Sequence, residues 1–144
     1  MIMKGRWMTR GYLAVVGLAY WALAVWCAVL PETTSASVGF DLRPGSGQSE
    51  YLTVYGGLEF GLGLVFLAPL WRPEMTRFSL LTCLAIHASL VAFRSASFLL
   101  YANIPSMTYG LAAGEWVILL SSAALAARRA ARRSPENERR TDDR

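Results

Sequence analysis

The chain has 144 residues, 54% of them hydrophobic and 17% charged, a balance too apolar and too poor in charge for an ordinary water-soluble domain of that length. One domain is the most it can hold. The net charge of +4 is no nucleic-acid footprint, because the basic residues gather at the ends of apolar runs instead of forming a patch.

Residues 1–10 make a basic lead-in with Lys4, Arg6 and Arg10, in which Trp7, with Tyr12 just beyond, suits a membrane–water interface. Four apolar runs follow, at about 11–30, 52–70, 78–101 and 107–127. Each is close to the ~20 residues that cross ~30 Å of hydrocarbon at ~1.5 Å per residue. Helices are expected, since each backbone N–H and C=O is then satisfied within its own segment. The first run is too long for a cleaved signal, whose apolar core is usually ~7–15 residues. Ser35-Ala36-Ser37 is therefore read as loop and not as a cleavage site.

Pro31 closes the first run. The connection 31–50 is rich in Ser, Thr, Gly and Pro; Val38-Gly39-Phe40 is placed to dip toward lipid headgroups, and Arg43-Pro44-Gly45-Ser46-Gly47 is turn chemistry. The second run opens at Tyr51 and closes at Pro69, Trp71 and Pro73. The short polar loop 71–77 makes runs two and three antiparallel neighbours, and Asn103-Ile104-Pro105 turns the chain into run four. After Ala127 the helix is expected to continue through the arginines as far as Ser134-Pro135. Residues 134–144 lack apolar content and are predicted to be disordered.

Lys4, Arg6, Arg10, Arg72, Arg77, Arg128, Arg129, Arg132, Arg133, Arg139, Arg140 and Arg144 all fall on one side of this arrangement, against Arg43 alone on the other. Basic residues stay cytoplasmic, which puts both termini in the cytoplasm. Cys27 lies near the outer end of run one and Cys83 near the inner end of run three, too far apart for a disulfide. Both are read as small apolar fillers.

Three full charges remain inside the runs: Glu59, Arg94 and Glu115. Counting from the outer ends at ~1.5 Å per residue, they lie ~10, ~10 and ~12 Å deep, in one layer. Charge at that depth is costly and tends to be paired and functional, and a guanidinium fork can serve two carboxylates at once. A Glu59–Arg94–Glu115 cluster is therefore expected. His87 stands two helical turns from Arg94 on a polar seam with Cys83, Ser97 and Tyr101, and Thr108, Glu115 and Ser122 form a matching seam. Tyr55, one turn from Glu59, joins His87, Tyr101 and Trp116 as candidate walls of a pocket, with Tyr20, Trp21 and Trp26 from run one. Gly57 and Gly61, and Gly110 and Gly114, have the four-residue spacing that lets helices approach closely. The cluster reads as a structural lock, as a binding site or as an ion or proton path. His87 reads as a hydrogen-bonded packing residue, because no partner stands at metal-ligand spacing and no metal site is predicted.

The stretch Tyr55-Gly56-Gly57-Leu58-Glu59-Phe60-Gly61-Leu62-Gly63 resembles the hallmark of a bacterial family of four-span membrane proteins, the domain-of-unknown-function 4345 family, similar in architecture to DoxX-like proteins. The resemblance covers roughly residues 11–127, and Val38–Leu42 and Glu50–Leu52 fit it too. Arg94 and Glu115 match by position the family's arginine in span three and acidic residue in span four. Phe93 stands where the family carries a glycine, and Ala102-Asn103-Ile104-Pro105 replaces a turn richer in Asp and Gly, which implies a narrower or more apolar pocket. The resemblance implies a fold and no established activity; a quinone or redox link follows only by analogy.

The expectation is an all-α integral membrane protein, a left-handed antiparallel four-transmembrane-helix bundle of a bacterial inner membrane. Its function reads as binding of a small amphiphile or a partner membrane protein at the buried cluster, more in keeping with a binding protein than with an enzyme. The alternatives are an accessory subunit or enzyme of membrane redox, quinone or lipid chemistry, and a proton-coupled carrier acting as an oligomer. No cofactor is predicted beyond a quinone or lipid as candidate bound molecule. Membrane lipids, a second copy or a partner membrane protein are the expected partners, and nucleic acid is not.

Overall fold

From Thr9 just before the first apolar run, and on through Leu13, Val16, Tyr20, Ala24 and Cys27 within it, the buried residues fall at spacings of three and four that place them on one helical stripe. They belong to α1 (Ile2–Val29). The computed structural model describes residues 2–131, with side chains from Trp7 onward; the predicted helix end at Ser134-Pro135 and the predicted disorder of 134–144 lie outside the described residues. All regular structure among these residues is helical.

The helix α1 begins well before the apolar run, because nothing in residues 2–10 breaks it. Leu30 leaves the helical conformation (φ −127°, ψ 58°) and Pro31 opens α2 (Pro31–Ser37), a position where its missing N–H costs nothing. The second membrane-length rod also starts early. It comprises α3 (Ser46–Tyr51), a π-helical stretch Leu52–Leu58, α4 (Glu59–Leu67) and a tight turn Ala68–Leu70. Gln48 explains the early start. Its side chain accepts from the Gly45 N–H at 3.1 Å and donates to Glu32 Oε1 at 2.8 Å, tying the first turn of α3 to α2. The Phe40 ring meets Tyr51 at 6.4 Å and Tyr55 at 6.0 Å at the start of the second rod and stays 47% exposed.

The helices α5 (Thr76–Leu100) and α6 (Ser106–Ala131) are joined by a turn in which Asn103 takes φ 59°, a left-handed conformation asparagine tolerates better than most residues. Four segments, Trp7–Val29, Ser46–Leu70, Pro73–Leu100 and Ser106–Ala131, are long and apolar enough to cross a membrane. The first packs chiefly along the second, and α5 along α6. Between α1 and its partner, Arg10 bonds the Leu70 carbonyl, Trp21 the Phe60 carbonyl and Cys27 the Tyr51 hydroxyl, so numbers rise on one rod as they fall on the other. Leu13, Val16, Tyr20, Phe66, Leu80, Cys83 and Leu125 form the core where the two pairs meet, with Tyr20 edge-on to Phe66 at 5.2 Å.

Close approach is made by glycines other than those expected. A Cβ at Gly63 would collide with the Trp21 ring, and one at Gly17 would stand 2.7 Å from Leu67 Cγ. Gly57, Gly61, Gly110 and Gly114 have nothing within 4 Å of that position. Their spacing is right for close contact, but the rotation of each helix turns them away from any neighbour within the chain. The outward surface is strongly apolar. Leu99 is 88% exposed, Phe93 80%, and Val15, Val29, Leu58, Val117 and Leu120 are exposed too.

Candidate functional site

On α5, Arg94 turns toward α6. Its Nε donates to Glu115 Oε2 at 2.8 Å and its Nη2 to Glu115 Oε1 at 2.6 Å, the two-pronged geometry that only a guanidinium offers a carboxylate. The side chains are 27% and 13% exposed, so the pair is partly withdrawn from the surroundings. Ser97, one turn further on, donates to the Arg94 carbonyl at 2.8 Å.

Glu59 does not complete the expected triad. Among the described residues Arg94 forms an ion pair only with Glu115, and both carboxylate oxygens are used in that exchange. Glu59 begins α4 immediately after the π-helical stretch, and α4 lies mainly against α1. It is nevertheless in the same neighbourhood, within electrostatic reach of Glu115, while Tyr55 is within reach of both Glu59 and Arg94. Its Oε2 is buried and has no hydrogen-bond partner among the described residues. A buried carboxylate oxygen without a donor is an expensive group to keep.

The expected walls divide. Tyr55 is half-buried and stacks on Tyr51 with ring centroids 4.5 Å apart, next to Glu59's layer. Tyr101 is 68% exposed because the backbone turns extended there (φ −123°, ψ 146°) and leaves α5. Trp116 is 46% exposed, one residue and hence about 100° around the helix from Glu115. Trp21 serves packing, stacked on Phe60 at 5.1 Å, and Trp26 faces outward.

His87 sits deeper, 1% exposed. Its Nδ1 lies 2.8 Å from the Cys83 carbonyl, which can only accept, so this nitrogen carries the proton and Nε2 faces the Tyr20 hydroxyl at 3.3 Å. A second polar knot adjoins it. The Tyr12 hydroxyl donates to the Ile118 carbonyl at 2.9 Å and lies 2.8 Å from Ser122 Oγ. Ser122 in turn donates to Cys83 Sγ at 3.3 Å. The packing role expected for His87 is thus visible, but the parts of Tyr12 and Tyr20 were missed. The available signal was their place on or beside the three-and-four stripe of run one, from which a tyrosine hydroxyl reaches another helix.

No family model, curated protein or solved structure matches the chain.

Proposed function

We propose that the chain is a small integral membrane protein, an antiparallel bundle of four membrane-crossing helices, which holds the polar head of a small amphiphile at Glu59 beside the Arg94–Glu115 pair. The observation that carries this reading is the contrast between the two carboxylates. Glu115 is fully engaged by Arg94, whereas Glu59 has a buried oxygen with no donor in the same electrostatic neighbourhood. A group kept in that state at a membrane-depth position is a candidate for function. Its complement is a head that donates a hydrogen bond or carries positive charge, such as a quinol, an alcohol or an amine, on an apolar tail.

Several observations support insertion. Large apolar side chains cover the outside of the bundle, which water would penalise and lipid would not. The basic residues gather on one side, in keeping with cytoplasmic termini and a bacterial inner membrane.

The test is thermal unfolding of detergent-purified protein against a panel of quinols, long-chain alcohols and alkylamines. At least one class should raise Tm for the parent chain, and Glu59→Gln should accumulate normally yet lose that shift. Equal Tm with every compound, in parent and variant alike, removes the binding reading and leaves the cluster as a structural lock. A redox or carrier role would instead show as turnover or substrate-driven proton movement that Glu59→Gln abolishes.

A further inference from the structure

At the end of the α5–α6 pair away from Arg94 and Glu115, the two helices part around a groove of about 560 Å³, within the ~300–1,000 Å³ typical of small-molecule sites. Arg77, Leu80 and Leu81 line it from α5, and Ala126, Arg129 and Ala130 from α6. The alanines supply the space. Leu80, only 2% exposed, forms an apolar floor, while Leu81, 46% exposed, forms a rim. Arg77 stands on the α5 wall and Arg129 on the α6 wall, and among the described residues no acidic side chain lines the groove. Arg129 is also engaged elsewhere in the chain, so the principal contact falls to Arg77, which is exposed.

We propose that this groove holds one anionic phospholipid of the cytoplasmic leaflet, its phosphate on Arg77 and an acyl chain along Leu80, Ala126 and Ala130. The Arg77 guanidinium stands at the mouth of an apolar groove, and its planar fork matches phosphate oxygens. The apolar floor leading away from Arg77 suits a chain attached to that phosphate, which a free anion lacks. The depth agrees as well. Arg77 is the second residue of α5 and Arg129 lies two residues before the end of α6, the positions of the headgroup layer, where basic residues recognise anionic lipid. This inference rests on the membrane-crossing reading above but is independent of the Glu59 site.

The chain is purified and presented with phosphatidylglycerol or phosphatidylcholine of matched acyl chains, and lipid retention and Tm are read by native mass spectrometry and thermal unfolding. Phosphatidylglycerol should be retained at least tenfold more strongly than phosphatidylcholine and should raise Tm. Arg77→Gln should remove the preference, Arg77→Lys should restore part of it, and Ala130→Leu should weaken retention of both lipids by filling the chain's path. Inorganic phosphate at millimolar concentration should not displace the lipid. Equal retention of the two lipids, an unchanged preference in Arg77→Gln, or full displacement by inorganic phosphate would each overturn the proposal. Release of the protein from membranes by alkaline carbonate would overturn the membrane reading itself, a failure distinct from loss of headgroup preference in a protein that stays inserted.

Discussion

Arg94 and Glu115 depend on each other in a way that Glu59 does not share. Replacing Arg94 with leucine leaves the Glu115 carboxylate partly buried without its two donors, and breaking a buried pair from one side typically costs ~3–5 kcal/mol. The pair here is only partly withdrawn, so the lower end of that range is expected, read as a marked fall in Tm. Glu59→Gln should leave the unfolding free energy within about 1 kcal/mol of the parent when no amphiphile is present, because it breaks no hydrogen bond of the buried oxygen. The glycines give a second contrast. Gly63→Ala drives a methyl into Trp21 and should destabilise by ~1–3 kcal/mol as overpacking does. Gly57→Ala and Gly110→Ala meet open space and should be neutral or stabilising by up to ~1 kcal/mol, since glycine is a poor helix residue. Equal losses at all three positions in a denaturation series would mean that the expected glycine faces do pack after all.

At the scale of elements, the four long helices were legible as four apolar runs, because length and the absence of charge are properties of the sequence itself. Their ends were less so. The second rod begins at Ser46 and not near residue 52, because Gln48 and Glu32 hold a polar turn in helical form, a contact no hydropathy count contains. Which way each helix turns was legible only where burial has a clear period, as on α1. The rotation of α4 and α6 was not, because their glycines and apolar residues are spread around the whole circumference. That is why the spacing of Gly57 and Gly61 pointed to contacts that Gly63 makes instead, and why Arg94 was expected to serve two carboxylates but serves one. The link between α1, α5 and α6 can be probed at Tyr12. Tyr12→Phe deletes its bonds to Ile118 and Ser122, at a cost of ~1 kcal/mol. The loss should appear as faster hydrogen exchange around Ile118 with α1 and α4 unaffected. Exchange rising uniformly through all the helices would contradict so local a role.

For the whole molecule, orientation is the property most open to direct measurement. Cys27 and Cys83 are buried and should react slowly with thiol reagents, so the parent chain is a clean background for single introduced cysteines. Ser46→Cys, at the start of the second rod, should be labelled by a membrane-impermeant maleimide in spheroplasts. Glu74→Cys, in the connection before α5, should be labelled only after permeabilisation. The reverse pattern would invert the topology drawn from the arginines. The π-helical stretch Leu52–Leu58 has a further implication at this scale. Wide turns of this kind hold more chain than an α-helix ladder would, and they sit directly upstream of Glu59. Excising a single residue such as Gly57 lets those turns tighten to α-helical ones with the segments on either side still in phase, whereas excising one from the α-helix beyond them re-phases its flanks by roughly 100°. The stretch before Glu59 should therefore tolerate a deletion that, made at Leu62, would lose either the layer of Glu59 or the Trp21–Gly63 seam.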